Sequence, residues 1–376
     1  MRKAMASLAV FGLLATGGLS ACTGDDGDGG AASSGGGTKA KTTGQGGVGV
    51  ILPDEKSAQR WKTDDPKFLK QEFDKAGVPV NIQNAQGDRA RFIQIGESMI
   101  ESGVKVLMVV NLDSPSSKIV LDKAKAAGVK TIDYDRLTLN GGADFYVSFD
   151  NKAVGVNQGT VLKQCIAEKG TSNPIIAELN GSPTDNNATE FKNGYDQILQ
   201  PMYDSAQYTK GPDQWVADWA NDEAGVIFTQ MLAQQPKIQG VLAANDGLAN
   251  AVIEVLRKKG MAGKIPVTGQ DATVQGLQNI LTGEQCMTVF KNIAEEAKAA
   301  AKLATDLYNG EPGSASGQQK DVESGAYVPF VSLTPEAITK ENINKVINAG
   351  FADPKEICKG SKLQRLCDEN GISTGK

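Results

Sequence analysis

Short apolar runs alternate with amphipathic stretches from residue 48 to the C-terminal tail. The runs are continuous and rich in β-branched residues, as is typical of parallel strands covered on both faces. They lie at residues 48–52, 104–110, 129–134, 175–179, 240–244 and 265–269. The stretches between them have the helical period, and many end at glycine, which commonly follows a helix C-terminus. They lie at residues 88–102, 116–127, 187–200, 222–234 and 247–260.

The alternation predicts an α/β fold with parallel sheets. One more amphipathic helix is indicated late in the chain by apolar residues at spacings of four and three, namely Ile293, Ala297, Ala300, Ala304 and Leu307. From residue 48 onward the chain holds about 330 residues, which typical domain sizes divide into two compact lobes of ~150 each.

The N-terminus has the features of an export signal. Arg2 and Lys3 precede an apolar run at residues 6–14 that is too short to span a membrane comfortably, and Leu19-Ser20-Ala21-Cys22 follows. This pattern resembles a bacterial lipobox, so we expect a lipoprotein signal peptide at residues 1–21 and lipid attachment at Cys22. The alternative is a plain secretory peptide with an incidental cysteine. Residues 22–47 are dominated by Gly, Ser and other small or polar residues and predict a flexible tether.

Composition excludes several classes of function. The formal net charge is −5 and there is no basic cluster, which argues against a nucleic-acid partner. The chain contains no histidine and no CxxC pair, which removes histidine-based nucleophile systems and weakens any zinc site. We therefore predict neither a metal nor a cofactor.

Four cysteines remain after Cys22, an even number in an exported protein, where disulfides persist. Cys358 and Cys367 are close together in a polar tail, and Cys165 with Cys286 would join a helix to the start of a strand. This pairing is one of three possible connectivities, and four free thiols are the alternative.

Polar residues follow the apolar runs, where an open α/β sheet binds its ligand. They are Arg60, Trp61, Asn111, Asp135, Arg136, the segment 181–187, Asn245, Asp246 and Asp271. Carboxylates, amides and arginines match the hydroxyl groups of a polyol, and Trp61 and Trp215 match the apolar faces of a sugar ring. Taken singly, a strand-end Asp or Asn is commonly a helix cap, and a Trp is commonly core packing. Their recurrence after strand upon strand favours a sugar site.

The motifs that carry these residues resemble, in order, those of the D-xylose-binding proteins of ABC sugar importers, within the type I periplasmic-binding-protein family. They are Gln59-Arg60-Trp61-Lys62, Asp133-Tyr134-Asp135-Arg136, residues 145–151, residues 181–188, Asp213-Gln214-Trp215-Val216, Ala244-Asn245-Asp246, Gly269-Gln270-Asp271-Ala272 and Met287-Thr288-Val289-Phe290-Lys291. The match spans nearly the whole of the chain after residue 47. The chain departs from the family pattern in its tether, in four additional cysteines and in a longer tail from Asp353. These departures leave glucose, arabinose or galactose as alternative ligands.

The resemblance implies two Rossmann-like lobes joined by three hinge strands, with a pentose closed between them. It implies an N-terminal lobe of residues 48–150 plus 292–330 and a C-terminal lobe of residues 151–291 plus 331–376. It also implies that Trp61 and Trp215 sandwich the sugar ring. The hydrogen-bonding residues would be Arg60, Asp135 and Arg136 from the first lobe, Asp185, Asn187, Asn245 and Asp271 from the second, and Lys291 from a hinge strand.

The implied function is the capture of a monosaccharide outside the cytoplasm by a lipid-anchored monomer, and its delivery to a membrane ABC permease. A receptor that signals to a chemotaxis or sensor-kinase partner would have the same pocket and is the alternative. A sugar-responsive repressor would need a basic helix-turn-helix where this chain has an export signal. A glycosidase is disfavoured because Arg136 should keep Asp135 ionised and because neither Asp135 nor Asp271 is expected to have the raised pKa of a general acid.

Overall fold

The structure is a computed structural model that describes residues 46–375. The predicted signal peptide at 1–21, Cys22 and all but the last two residues of the predicted tether lie outside these residues. The described chain forms two lobes, each with a parallel sheet and helices packed against it, and the predicted α/β fold is confirmed.

The elements follow one another along the chain with few long loops. The strands are β1 (Val48–Leu52), β2 (Val80–Asn84), β3 (Val106–Val109), β4 (Lys130–Tyr134), β5 (Phe145–Phe149), β6 (Ile175–Asn180), β7 (Thr209–Trp215), β8 (Ile238–Ala243), β9 (Thr288–Phe290), β10 (Gly317–Lys320), β11 (Tyr327–Leu333) and β12 (Glu336–Ile338). The helices are α1 (Asp64–Ala76), α2 (Arg89–Glu101), α3 (Ser114–Ala126), α4 (Asn151–Glu168), α5 (Asn186–Asp204), α6 (Asn221–Gln234), α7 (Asp246–Lys258), α8 (Val274–Thr282), α9 (Ile293–Tyr308), α10 (Asn344–Asn348), α11 (Pro354–Ile357) and α12 (Ser361–Glu369). Two short 3₁₀ turns, Gln59–Trp61 and Ala217–Trp219, complete the set.

The first lobe has a seven-stranded sheet in the order β10-β11-β5-β4-β3-β1-β2. All of its neighbouring strands are parallel except the β10–β11 hairpin. Alternate residues of β1 face opposite sides: Val50 packs in one apolar cluster together with residues of α1 and α9, and Ile51 packs in another with residues of α2 and α3. Burial on both faces is why these strands read as continuous apolar runs.

The second lobe has a parallel sheet in the order β7-β6-β8 and a small antiparallel ladder between β9 and β12. Its core combines residues of these strands with residues of α4 to α7. The predicted strand at 265–269 is present only as an isolated bridge between Val241 and Val267.

The chain passes between the lobes three times. It leaves the first lobe between β5 and α4, returns between β9 and α9, and leaves again between β11 and β12. β11 stays paired with β5 as far as the Leu333–Phe149 pair. The third passage therefore follows Leu333, three residues after the expected boundary at residue 330.

The tail from Asp353 packs on the second lobe through an apolar cluster that includes Leu277 and Leu281 of α8. The structure brings the sulfur atoms of Cys358 and Cys367, and those of Cys165 and Cys286, to bonding distance, with Cα–Cα separations of 5.9 Å and 6.4 Å. These are the pairs favoured from the sequence. Among residues 46–375, no helix is long and apolar enough to cross a membrane.

Candidate functional site

One cavity between the lobes collects most of the predicted binding residues. Its wall includes nine of the ten, namely Arg60, Trp61, Asp135, Arg136, Asp185, Asn187, Asn245, Asp271 and Lys291. The sheets explain this convergence, because polar residues at the carboxyl ends of parallel strands meet at one edge. A wider cleft of about 1070 Å³ adjoins the cavity and shares Ser57, Arg136, Asp185 and Trp219 with it.

Trp215, the tenth predicted residue, is not part of this wall. It ends β7, is half-buried and packs against the core of the second lobe. Trp219, four residues later, lines the cavity instead, with 5% of its surface exposed. The 3₁₀ turn between them makes the difference, because Asp218 and Trp219 have φ angles of 53° and 55° and the chain changes direction there. The predicted assignment of Trp215 to the pocket is therefore corrected to Trp219.

Two contacts fix the indole of Trp219. Its Nε1 donates a hydrogen bond of 3.0 Å to Asp185 Oδ2. The ring also passes directly over Gly181, where a Cβ atom would come within 2.1 Å of it. Glycine is needed at this strand end because the indole occupies the space of a side chain.

Arg60 lies in the first lobe and is held entirely by acids of that lobe. Its Nε and Nη2 donate to the two carboxylate oxygens of Asp65, each at 2.8 Å. Nη2 also donates to Glu296 Oε2 at 2.6 Å, and Nη1 donates to Asp135 Oδ2 at 2.7 Å. Burial opposes the charge on Arg60, but Asp135, Asp65 and Glu296 outweigh it and hold the arginine pKa well above its ordinary value.

Asp135 is the anionic centre of the cavity. Besides Arg60, it accepts a bond of 3.1 Å from Lys291 Nζ. Burial opposes its ionisation, but Arg60, Lys291 and Arg136 outweigh burial and hold its pKa below the ordinary value. Its backbone adopts the left-handed region with φ 61°, which costs free energy for a residue other than glycine.

The side chain of Arg136 contacts both lobes. Its Nε forms an ion pair of 3.0 Å with Asp185 Oδ2 of the second lobe, and Nη2 donates to Ser57 Oγ at 3.2 Å. The guanidinium also lies 5.4 Å from the ring centre of Trp61, which Arg60 approaches to 4.3 Å. Within the described residues, the buried indole N–H of Trp61 has no hydrogen-bond partner.

Asn187 joins the lobes near the first hinge passage. Its side-chain oxygen accepts a bond of 2.9 Å from Asn151 Nδ2, and its Nδ2 donates to the backbone oxygen of Asp135 at 2.9 Å. The hydroxyl of Tyr146 lies 2.9 Å from the same backbone oxygen and 3.3 Å from the oxygen of Asn187. The amide of Asn187 is therefore oriented by both lobes at once.

Asp271 and Asn245 close the second-lobe side. Asp271 has φ 106° and accepts a bond from Gln270 Nε2. Burial raises its pKa to about 7, against the opposing effect of Lys291. The expectation that neither Asp135 nor Asp271 has a raised pKa is therefore wrong for Asp271. Asn245 caps α7 through Leu248 and lines the cavity as well, so the capping and binding interpretations are compatible there.

Asn111 and Asp246 have structural contacts instead. Asn111 bonds Ser117 and the backbone of Leu137. Asp246 accepts from Thr273, Gln285 and Thr288, and burial raises its pKa to about 6. Neither residue is among the lining residues of the cavity.

Sequence analysis missed Ser57, Ala58, Phe191, Trp219 and Gln270 on the cavity wall. Phe191 could have been predicted, because it lies four residues after Asn187 on α5 and shares its helix face. Gln270 directly precedes Asp271. Trp219 carried no such signal, because its position depends on the left-handed turn. Together the wall presents charged donors, acceptors and aromatic faces, a combination suited to binding a small polyhydroxylated molecule.

Comparisons with known proteins found a matching family, similar sequences and similar structures. Residues 48–312 match the model of the periplasmic binding protein domain. A D-xylose-binding periplasmic protein of Haemophilus influenzae is 35% identical over 312 residues, which cover 82% of this chain and 91% of that protein. The multiple sugar-binding periplasmic protein SbpA of Azospirillum brasilense is 34% identical, covering 78% of this chain and 86% of that protein. A solved ABC transporter solute-binding protein of Clostridium phytofermentans with bound β-D-glucose has 26% identity and a TM-score of 0.75, covering 82% of this chain and 99% of that one. The resemblance predicted from the motifs is confirmed.

Proposed function

The chain belongs to the periplasmic binding protein family, and from that membership we propose that it captures a monosaccharide between its lobes and delivers it to an ABC importer. D-Xylose is the first candidate ligand, because a D-xylose-binding periplasmic protein is 35% identical over 82% of the chain. One observation supports the proposal most directly. Nine residues chosen from sequence motifs in different parts of the chain line one cavity between the two lobes.

The proposed mechanism is hinge closure, which general accounts of conformational change already give for periplasmic binding proteins as a class. A sugar that contacts both lobes stabilises the closed arrangement more than the open one, so occupancy shifts the population. In this chain the second-lobe Asp185 reaches the first-lobe Arg136, and Asn187 reaches Asp135. The closed surface is what a permease would recognise. Trp219 takes the ring-covering role proposed for Trp215, opposite Trp61.

The remaining proposals concern location and chemistry. We place the protein outside the cytoplasm, anchored as a monomer through a lipid on Cys22, with disulfides between Cys358 and Cys367 and between Cys165 and Cys286. The proposal includes no catalysis. Because Asp271 has a raised pKa and Asp135 a lowered one, this point needs its own assay.

The decisive experiment is calorimetric titration of the mature chain, carrying Cys22→Ser to prevent lipidation, with D-xylose, glucose, arabinose, galactose and ribose. We expect micromolar or tighter binding of at least one sugar, with no product formed from a nitrophenyl xyloside in a parallel assay. Asp271→Ala and Trp219→Ala should abolish measurable binding. Trp215→Ala, the matched control, should retain it because that side chain lies outside the cavity. Absence of measurable binding to all five sugars would refute the proposal.

A further inference from the structure

Arg60 is enclosed by three acids, of which only Asp135 belongs to the predicted site. Asp65 on α1 and Glu296 on α9 are both fully buried, and neither lines the cavity. Asp65 is itself fixed by the hydroxyl of Tyr134, which donates to its Oδ1 at 2.7 Å. All of these groups lie in the first lobe, so their contacts do not depend on closure.

A count of donors shows what this enclosure achieves. An arginine side chain has five N–H groups in a rigid fork. Asp65 takes one from Nε and one from Nη2, Glu296 takes the second from Nη2, and Asp135 takes one from Nη1. One N–H remains, on Nη1, and Arg60 lines the cavity.

The charges around Glu296 are consistent with a hydrogen-bonding role. Burial raises its pKa to about 8, while Arg60 and Lys291 oppose this and Asp135 and Asp65 add to it. A protonated Glu296 still offers its carbonyl oxygen to Arg60 Nη2.

We propose that Asp65 and Glu296 are positioning residues, which hold Arg60 in one orientation before the ligand arrives so that a single Nη1 N–H meets a sugar hydroxyl. This inference rests on the proposed function. Arg136 provides the contrast, because its ion-pair partner Asp185 lies across the cleft and is in place only when the lobes are closed. Arg60 is thus oriented before the sugar binds, whereas Arg136 gains its ion-pair partner when the lobes close.

The test compares Glu296→Leu with Glu296→Gln in titrations with the sugar that the wild-type chain binds best. Leucine removes the acceptor, and we expect the dissociation constant to rise roughly tenfold or more, the effect of one charge-assisted hydrogen bond. Glutamine keeps an acceptor oxygen and should stay within about threefold of wild type on the same reasoning. The ligand-free melting temperature should also fall in Glu296→Leu, because one buried N–H of Arg60 Nη2 loses its acceptor.

Glu178→Leu is the matched control, because Glu178 is equally buried but pairs with Lys192 in the second lobe, away from the cavity. It should lower the melting temperature and leave the dissociation constant unchanged. Wild-type affinity in Glu296→Leu, or equal losses in the leucine and glutamine variants, would overturn the inference. If Glu296→Leu does not fold, Asp65→Ala is held to the same tenfold expectation. Failure of the wild-type chain to bind any sugar would instead count against the proposed function.

Discussion

At the scale of single residues, Asp185 joins three parts of the site. It pairs with Arg136 of the other lobe, accepts from Trp219 Nε1, and caps α5 through the N–H of Asn187 at 3.0 Å. Asp185→Asn keeps an oxygen for the cap but removes the charge that compensates buried Arg136. Loss of one partner of a buried ion pair costs about 3–5 kcal/mol in general. We expect the sugar to dissociate roughly tenfold to a hundredfold faster, with a smaller change in association rate.

Stopped-flow tryptophan fluorescence measures both rates for this prediction. Asp353→Asn makes the same chemical change at a helix N-cap, at an exposed position in the tail. It should leave both rates at their wild-type values. An unchanged dissociation rate in Asp185→Asn would show that the ion pair does not hold the lobes closed.

Arg60, Asp135, Arg136, Asp185 and Asp271 were predictable because they follow apolar runs, and strand ends of parallel sheets converge. Lys291 was predicted only through the family resemblance. Trp219 was not predictable, because the choice between it and Trp215 depends on a left-handed turn at Asp218 that residue types do not specify. The raised pKa of Asp271 could not be predicted either, because it results from burial in the folded protein.

At the scale of elements, the apolar strands were predictable and the polar strands were not. The central strands β1 and β3 have apolar residues on both faces and stand out in the sequence. β2 and β7 lie at sheet edges and have polar residues, and β10 is an equally polar hairpin strand. Edge strands of this kind lack the periodic apolar signal because one side faces solvent.

The end of β6 provides the element-scale prediction. Gly181 follows this strand, and the ring of Trp219 occupies the space that a Cβ atom of residue 181 would need. Gly181→Ala should displace the indole and weaken sugar binding roughly tenfold, since overpacking of this kind typically costs about 1–3 kcal/mol. Gly225→Ala in α6 is the matched control, because no atom lies within 4 Å of its added Cβ. Titration and tryptophan fluorescence test both variants, and wild-type affinity in Gly181→Ala would contradict the packing argument.

At the scale of the whole molecule, buried carboxyl groups make stability fall as pH rises. Burial raises the pKa of Asp133 to about 7, that of Asp246 to about 6 and that of Glu296 to about 8. In the unfolded chain these groups lose their protons near pH 4, so the folded chain holds protons that the unfolded chain has released. Their stabilising contribution is complete below pH 4 and is lost as pH rises to about 8. Each retained proton changes the free energy of unfolding by about 1.4 kcal/mol per pH unit.

Urea unfolding of the ligand-free protein at pH 5 and pH 8 measures this effect, and we expect the lower free energy of unfolding at pH 8. Asp135 affects stability in the opposite direction, because its pKa is lowered in the folded chain. Its stabilising contribution is lost only below pH 4, which is outside the range from pH 5 to pH 8. Asp133→Asn serves as the internal control, since an asparagine can still bond both the N–H and the hydroxyl of Thr138. The free energy of unfolding of this variant should differ less between pH 5 and pH 8 than that of wild type. The reduction should equal the contribution of one proton. Equal stability of the wild-type protein at pH 5 and pH 8 would mean that these carboxyl groups are ionised in the folded state, with their burial compensated.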